Sequence, residues 1–213
     1  MADYGWTAEK IAKWLTPDPR LLLVLEQWRA RGLENLLDRG CGPGRHAMAA
    51  ARMGFRVTGL DRSASALAHL RDRARQEGLA VHPVEGDIFT LPFPEGSFDC
   101  VVDYHASFHT DTAGYLWGVS ELFRVLRPGG EAYVTVKSKR DRRYQEANPS
   151  ARADRFTLLH EPGGSPHIYA DPEELPELFP GFTFVCPPAE IREPGMASPE
   201  ERVHCHLLLR RDR

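Results

Sequence analysis

Only four cysteines occur in 213 residues, Cys41, Cys100, Cys186 and Cys205, and none stands at a CxxC or other paired spacing. A zinc ribbon and a disulfide framework are therefore excluded as the basis of the fold, and a reducing, cytoplasmic home is expected. Long hydrophobic runs are missing as well. The longest aliphatic stretch, Leu21 to Leu25, is far too short to span a bilayer, and the opening MADYGWTAEK has no basic segment leading into an apolar core. Neither export nor membrane insertion is expected. Positive charge is not in excess either: a net charge of −3 gives no global attraction for polyanions, so nucleic acid is not the expected partner. No internal repeat and no composition shift marks a second domain.

Hydrophobic residues make up 42% of the chain and charged residues 27%, the profile of a folded soluble protein whose length suits one α/β core. Two helices are predicted first, Thr7 to Leu15 with Thr7 as N-cap and about Arg20 to Arg31 ended by Gly32, forming an N-terminal cap over residues 1–33. Short apolar runs then alternate with helical patterns. Strands are expected at Leu36-Leu37, Phe55 to Leu60, Val81 to Val84, Phe98 to Asp103 and Glu131 to Val136. Helices are expected near Gly44 to Met53, Ser63 to Gln76 and Thr112 to Val125. This alternation over 34–137 predicts a doubly wound sheet. Residues 138–170 are polar, basic and rich in turn formers, and read as a lid or substrate-loop insertion. A helix at Pro172 to Leu178 and strands at Thr183 to Cys186 and Val203 to Arg210 close the sheet over 171–213.

The stretch LLDRGCGPGRHA, residues 36–47, joins an apolar run to an acid and three alternating glycines. A dinucleotide fingerprint needs its third glycine five residues after the first, where Arg45 stands, so NAD is disfavoured. Asp38, two residues before the turn, repels a pyrophosphate and attracts an ammonium or sulfonium. Asp61 follows the second strand, where a carboxylate accepts from both ribose hydroxyls. A cationic nucleoside without phosphates fits both, and S-adenosylmethionine answers that description.

Four motifs in order strengthen it: LLDRGCGPG, VTGLD, GDIFTLPFPEGSFDCVV and ELFRVLRPGGEAYVTV. Over about residues 34–137 the chain resembles the class I S-adenosylmethionine-dependent methyltransferases. The resemblance implies a Rossmann-like, seven-stranded mixed sheet with helices on both faces, and S-adenosyl-L-methionine as cofactor with S-adenosyl-L-homocysteine as product. It further implies that Gly40, Cys41 and Gly42 pack on the cofactor, Asp38 favours its ammonium, Asp61 and Arg62 flank the ribose, and Asp87 and Ile88 flank the adenine. Arg39 departs from the pattern, which has an aliphatic residue there. The tail SPHIYADPEELPELFPGFTFV is similar to that of small-molecule members near the tellurite-resistance and ubiquinone-type methyltransferases, which implies a small acceptor.

Because the sulfonium methyl is already activated, the protein must chiefly align acceptor, methyl and sulfur, with a base only where the acceptor loses a proton. The end of the fourth strand, DYHASFHT, offers Asp103, Tyr104, His105 and His109 to the cleft. His105, His109 and Tyr104 are the catalytic candidates, since an imidazole ordinarily titrates near neutrality. His109 matches a histidine common at this place in resembling proteins, often on the cofactor side. Asp103 either contacts the methionine moiety or ends the strand. Tyr4 and Trp6, with Trp14, can close over the site or simply pack the core. His167 and Tyr169, in the insertion, can cover the acceptor or make ordinary loop contacts. His204 and His206 share a strand face, but no third ligand is assignable and no metal site is expected. Seven basic residues, Lys137, Lys139, Arg140, Arg142, Arg143, Arg152 and Arg155, make either a solvated loop or a seat for an anion or RNA. Three functions remain open: methyl transfer to a small O, N, S or chalcogen acceptor, methylation of RNA or protein, and a non-catalytic cofactor-binding scaffold.

Overall fold

In a computed structural model the protein is described over residues 6–159, 165–194 and 201–212. The chain opens with α1 (Ala8–Lys13), whose N-cap Thr7 accepts from Lys10 N–H, and α2 (Pro19–Ala30). Asp18 caps α2 by accepting from the Arg20 and Leu21 N–H groups, and proline at the first turn loses no helical hydrogen bond. Leu21, Leu25 and Trp28 fall on one stripe of α2 and are fully buried.

Five strands follow: β1 (Asn35–Arg39), β2 (Arg56–Asp61), β3 (Val81–Glu85), β4 (Phe98–Asp103) and β5 (Leu126–Lys137). Between them lie α3 (Arg45–Arg52), α4 (Ala64–Glu77) and α5 (Thr112–Val125). β4 is buried along its whole length, as a central parallel strand covered on both faces must be. The insertion carries a short helix α6 (Arg142–Gln145), a 3-10 turn at Pro149–Ala151, and a hairpin of β6 (Thr157–Leu159) and β7 (Pro166–Ile168). After α7 (Leu175–Leu178) come β8 (Phe182–Phe184), β9 (Ala189–Pro194) and β10 (Glu201–Arg211).

The main sheet runs β3-β2-β1-β4-β5-β10-β8, seven strands, with β9 joined to β10 beside that path. β1 to β5 are parallel, and β10 is antiparallel to β5. The free edge of β10 is shared: β9 pairs with its first half and β8 with its last residues. Strand order reverses between β1 and β4, which opens a crevice at their C-terminal ends. One core lies on the α2, α3 and α4 face and the other on the α5 and α7 face. This is the doubly wound sheet with helices on both faces that the strand–helix alternation predicts. No helix among the described residues is long and apolar enough to cross a membrane.

Several details differ from the sequence reading, among them the helix and hairpin inside the insertion and a strand at Phe182–Phe184 in place of Thr183 to Cys186. The helix expected from Pro172 is only four residues long, and β9 lies in a stretch for which no strand is expected. The 138–170 insertion is also anchored to the sheet. Ile168 N–H donates to Phe108 O and Ala170 N–H to Lys137 O, and Tyr144, Leu158 and Tyr169 form a small core beneath it.

Arg39, the departure from an aliphatic residue, is 1% exposed and pairs with the equally buried Asp103 at 3.1 Å. Its Nε and Nη2 donate to Ile88 O at 2.9 and 2.5 Å. One side chain thus joins β1, β4 and the segment after β3. Burial pushes the Asp103 carboxyl up while Arg39 draws it back. Arg39→Met should cost about 3–5 kcal/mol in urea unfolding at neutral pH, because it leaves a buried carboxylate unpaired. Removing the cation raises the folded-state pKa of Asp103 further above its unfolded value. The loss should therefore be smallest below about pH 4 and grow as pH rises. Arg39→Met combined with Asp103→Asn should recover most of it, and a single variant as stable as wild type at pH 8 would contradict this reading.

Candidate active site

The turn after β1 is tied to the end of β2 by backbone. Gly40 and Cys41 N–H groups both donate to Leu60 O, at 2.7 and 3.0 Å, and Gly42 N–H donates to Asp61 Oδ2 at 2.8 Å. Gly40 has φ +72°, and a Cβ there would lie 2.5 Å from the Ala106 Cβ, so the turn and the loop after β4 touch only because residue 40 is glycine. Gly42, at φ +52°, is covered by the Trp6 indole, 2.8 Å from where its Cβ would stand. Trp6 in turn meets Trp14 edge-on at 5.9 Å.

Asp61 also accepts from Ser63 N–H through Oδ1 at 2.9 Å. Each of its oxygens takes one backbone donor and retains a second lone pair for a hydroxyl. The Asp61 carbonyl accepts from Gly86 N–H at 3.0 Å, which draws the next segment alongside. There Asp87 is exposed, with Oδ1 accepting from Phe89 N–H at 2.8 Å, and the Ile88 side chain lies 3.6 Å from the Cβ position of Gly40. Gly40, Gly42, Asp61, Asp87 and Ile88 therefore share one rim. Arg62 points outward, and Cys41 is buried with its thiol pushed up by burial, an unreactive packing residue.

Two carboxylates read from the sequence as cofactor contacts are engaged elsewhere. Asp38 is 2% exposed, and its Oδ2 accepts from Ala47 N–H at 2.9 Å, so it caps α3 from the neighbouring strand. Burial pushes its carboxyl up to about 7. Asp103, 1% exposed and held by Arg39 and by Ser107 N–H, ends its strand. The Asp38 cap has a chemical consequence. The first-turn donor that would cradle a phosphate is taken by the Asp38 carboxyl, while the glycine turn and Asp61 remain suited to a nucleoside. The donor set fits S-adenosylmethionine and disfavours a pyrophosphate. Arg45, at the first turn of α3, lies between the Trp14 and Tyr104 rings, at 4.8 and 4.9 Å from their centroids.

Beyond Ala106 lies a polar cluster. Tyr104 is buried, and its hydroxyl donates to Asp18 Oδ2 at 2.8 Å and meets Glu193 Oε2 at 3.4 Å. Burial, with Glu193 and Asp18 beside it, pushes this phenol up, so it stays protonated. Arg20 pairs with both Asp18 and Glu193. His105 stands at φ +56°, unusual for a side chain with a Cβ, and is held there by its N–H to Thr135 Oγ1 at 2.8 Å. Its ring lies 4.3 Å from Tyr104 and 4.1 Å from His204. Burial, and then His204, hold His105 well below the usual histidine range, and burial takes His204 down to about 4. Burial thus disfavours the charged form of His105, against the titration near neutrality expected of it.

His109 and His167, named separately from the sequence, meet at 2.8 Å through Nδ1 and Nε2. The insertion thus reaches the end of β4. Tyr169 is fully buried against Tyr144 and lies 5.3 Å from Lys137 Nζ. Tyr4 lies outside the described residues. Lys137, the first of the basic run, is 5% exposed and pushed down by burial to about 7. The rest of that run is largely paired: Lys139 with Glu174, Arg140 with Glu190, Arg142 with Glu146, and Arg155 with Glu174 and Glu177. Sequence reasoning missed Asp18, Arg20, Arg45 and Glu193. The Asp18-Pro19 pair is legible as a helix start, but nothing local links Glu193 to β4. A hollow lined by Asn35, Arg56, Leu79 and Phe98 lies at the opposite strand ends, away from Gly40, Asp61 and Asp87.

Comparison with known proteins agrees with this geometry. A family profile described as a methyltransferase domain matches residues 36–130. A demethylmenaquinone methyltransferase of Thermus thermophilus is 35% identical over 118 residues, 51% of this chain and 53% of that protein. A probable S-adenosylmethionine-dependent methyltransferase of Mycolicibacterium smegmatis is 37% identical over 49% of this chain and 38% of its own. The chain spans about half or less of the length of these curated relatives. A Burkholderia thailandensis 1,6-didemethyltoxoflavin-N1-methyltransferase, solved with bound S-adenosylhomocysteine, superposes with a TM-score of 0.66 at 21% identity, covering 92% of this chain and 78% of that one. With the glycine turn, the acid after β2 and the sheet order all in place, residues 36–130 match the methyltransferase-domain family, and about half of the chain is similar to S-adenosylmethionine-dependent methyltransferases.

Proposed function

We propose that the protein transfers the methyl group of S-adenosylmethionine to a small molecule seated over the end of β4, beside His105. The observation that carries this reading is the contact between Gly40 and Ala106, which brings the nucleoside rim within one residue of the buried histidine cluster. In this reading the Gly40 and Gly42 backbones face the cofactor, Asp61 holds the ribose hydroxyls, Asp87 and Ile88 flank the adenine, and Trp6 covers the turn. Arg45, a cation between two aromatic rings, supplies a partner for the methionine carboxylate. When bound, the cofactor supplies a methyl group already activated by the sulfonium.

The chain's own contribution is alignment, exclusion of water and, where the acceptor must ionise, a base. His105, neutral and buried, can accept that proton at an imidazole nitrogen, and the His109–His167 pair fastens the insertion over the same side. A small acceptor is supported by what the relatives are named for, demethylmenaquinone and 1,6-didemethyltoxoflavin, and by the pairing that consumes most of the basic run. Residues 1–213 act together in this reading, with the cap and the 138–170 insertion closing the two sides of a single catalytic unit.

S-adenosylhomocysteine should raise the melting temperature, whereas NADH and ATP should not. Asp61→Ala should weaken S-adenosylhomocysteine binding about ten- to hundredfold in calorimetry, since hydrogen bonds to a charged acceptor are worth roughly 1.5–3 kcal/mol each. Unchanged affinity in a folded variant would remove Asp61 from the ribose site.

With a panel of catechol, quinol and thiol acceptors, His105→Asn should leave cofactor affinity intact. It should lower turnover about a hundred- to ten-thousandfold for acceptors that need deprotonation. Because burial keeps His105 neutral, wild-type turnover should persist at pH 6, below the ordinary histidine pKa of about 6.5. A profile that falls with an apparent pKa near 6.5 would contradict a buried base.

A further inference from the structure

We infer that His105, Glu193 and His204 form a binding site for a divalent transition-metal ion of the zinc type. The three residues come from the loop after β4, from β9 and from β10, and their ligand atoms all lie within 4.8 Å of one another. His105 Nε2 and His204 Nδ1 are both buried, and neither has a hydrogen-bond partner among the described residues. An unpaired buried polar atom costs about 1–3 kcal/mol, so two of them facing one carboxylate call for a ligand. His204 is 4% exposed, and the Oε2 of Glu193 lies 3.8 Å from His105 Nε2.

The surroundings orient these donors. Glu193 Oε1 is taken by His206 Nε2 at 2.6 Å and by Arg20 at 3.2 Å, which leaves Oε2 turned toward His105 and the Tyr104 hydroxyl. His206 is itself fixed through Nδ1 by the Tyr133 hydroxyl at 2.7 Å. Such outer contacts are what fixes ligand direction in metal sites. Two imidazoles and one carboxylate suit zinc, cobalt or nickel and leave a coordination position open. Metal–ligand bonds of about 2.0–2.2 Å require the three donors to close in by less than about 1 Å. The His204–His206 spacing is thus half of the signal: His204 coordinates, while His206 acts through Glu193. On the proposed function, an acceptor seated beside His105 would take the open position, and the ion, with His105 coordinated and no longer able to accept a proton, would favour the acceptor's ionised form in place of an imidazole base. The binding claim itself does not depend on that reading.

The test uses untagged full-length protein stripped with a chelator. Calorimetric titration with Zn2+ should show one equivalent bound, and the zinc X-ray absorption spectrum of the wild type should contain two imidazoles. Glu193→Gln and His204→Ala should each weaken Zn2+ binding by at least about tenfold while retaining wild-type S-adenosylhomocysteine affinity. His82→Asn, on the exposed side of β3, should change nothing. No Zn2+ binding by folded wild type, an oxygen-only ligand shell, or equal affinity in both site variants would each overturn the inference. Methyl transfer that persists undiminished in metal-free protein would confine the ion to a structural role and remove its proposed part in acceptor activation.

Discussion

The structure turns on a short set of backbone hydrogen bonds that fold the glycine turn against the end of β2. Gly40 and Cys41 N–H groups reach Leu60 O, and Gly42 N–H reaches the Asp61 carboxylate. These bonds need glycine at positions where φ is positive and where Ala106 leaves no room for a Cβ. Once made, they fix three things together: the direction of α3, the placement of Asp61 on the rim, and the distance from that rim to the loop after β4. The rim that carries Asp61 and the histidine cluster are neighbours because of this turn.

Charge is arranged around it with a clear division of labour. Asp38 and Asp103 are buried and engaged, one capping α3 and the other paired with Arg39, and both serve the scaffold. Asp61 and Asp87 keep accepting capacity on the accessible side. Four carboxylates near one crevice thus divide by burial: Asp38 and Asp103 are buried, Asp61 is half-buried and Asp87 is exposed.

Much of this was legible in the sequence. Buried parallel strands read as short apolar runs, and helix starts such as Ser63 and Asp111 are marked by side-chain caps, so the alternation over residues 34–137 is recoverable from local signals. The motifs located Gly40, Gly42, Asp61 and the DYHASFHT segment for the same reason. What was not legible depends on pairs far apart in the chain. Arg39 looks like a packing defect until Asp103 and Ile88 O are seen around it. The β9 segment, AEIREP, is charged and ends in proline, and it becomes a strand only because the first half of β10 offers an edge. With β9 unseen, Glu193 had no place, and the histidines of β10 had no third partner. Local sequence could not assign the protonation of His105 either, since it depends on burial by elements that close only in the folded chain.

The account stands most directly on where the nucleoside lies. A crystal structure with S-adenosylhomocysteine bound should show the ribose hydroxyls on the Asp61 carboxylate, the adenine beside Ile88 and Asp87, and the sulfur directed past Ala106 toward His105. A nucleoside held at the opposite strand ends, or one whose ribose makes no contact with Asp61, would contradict it.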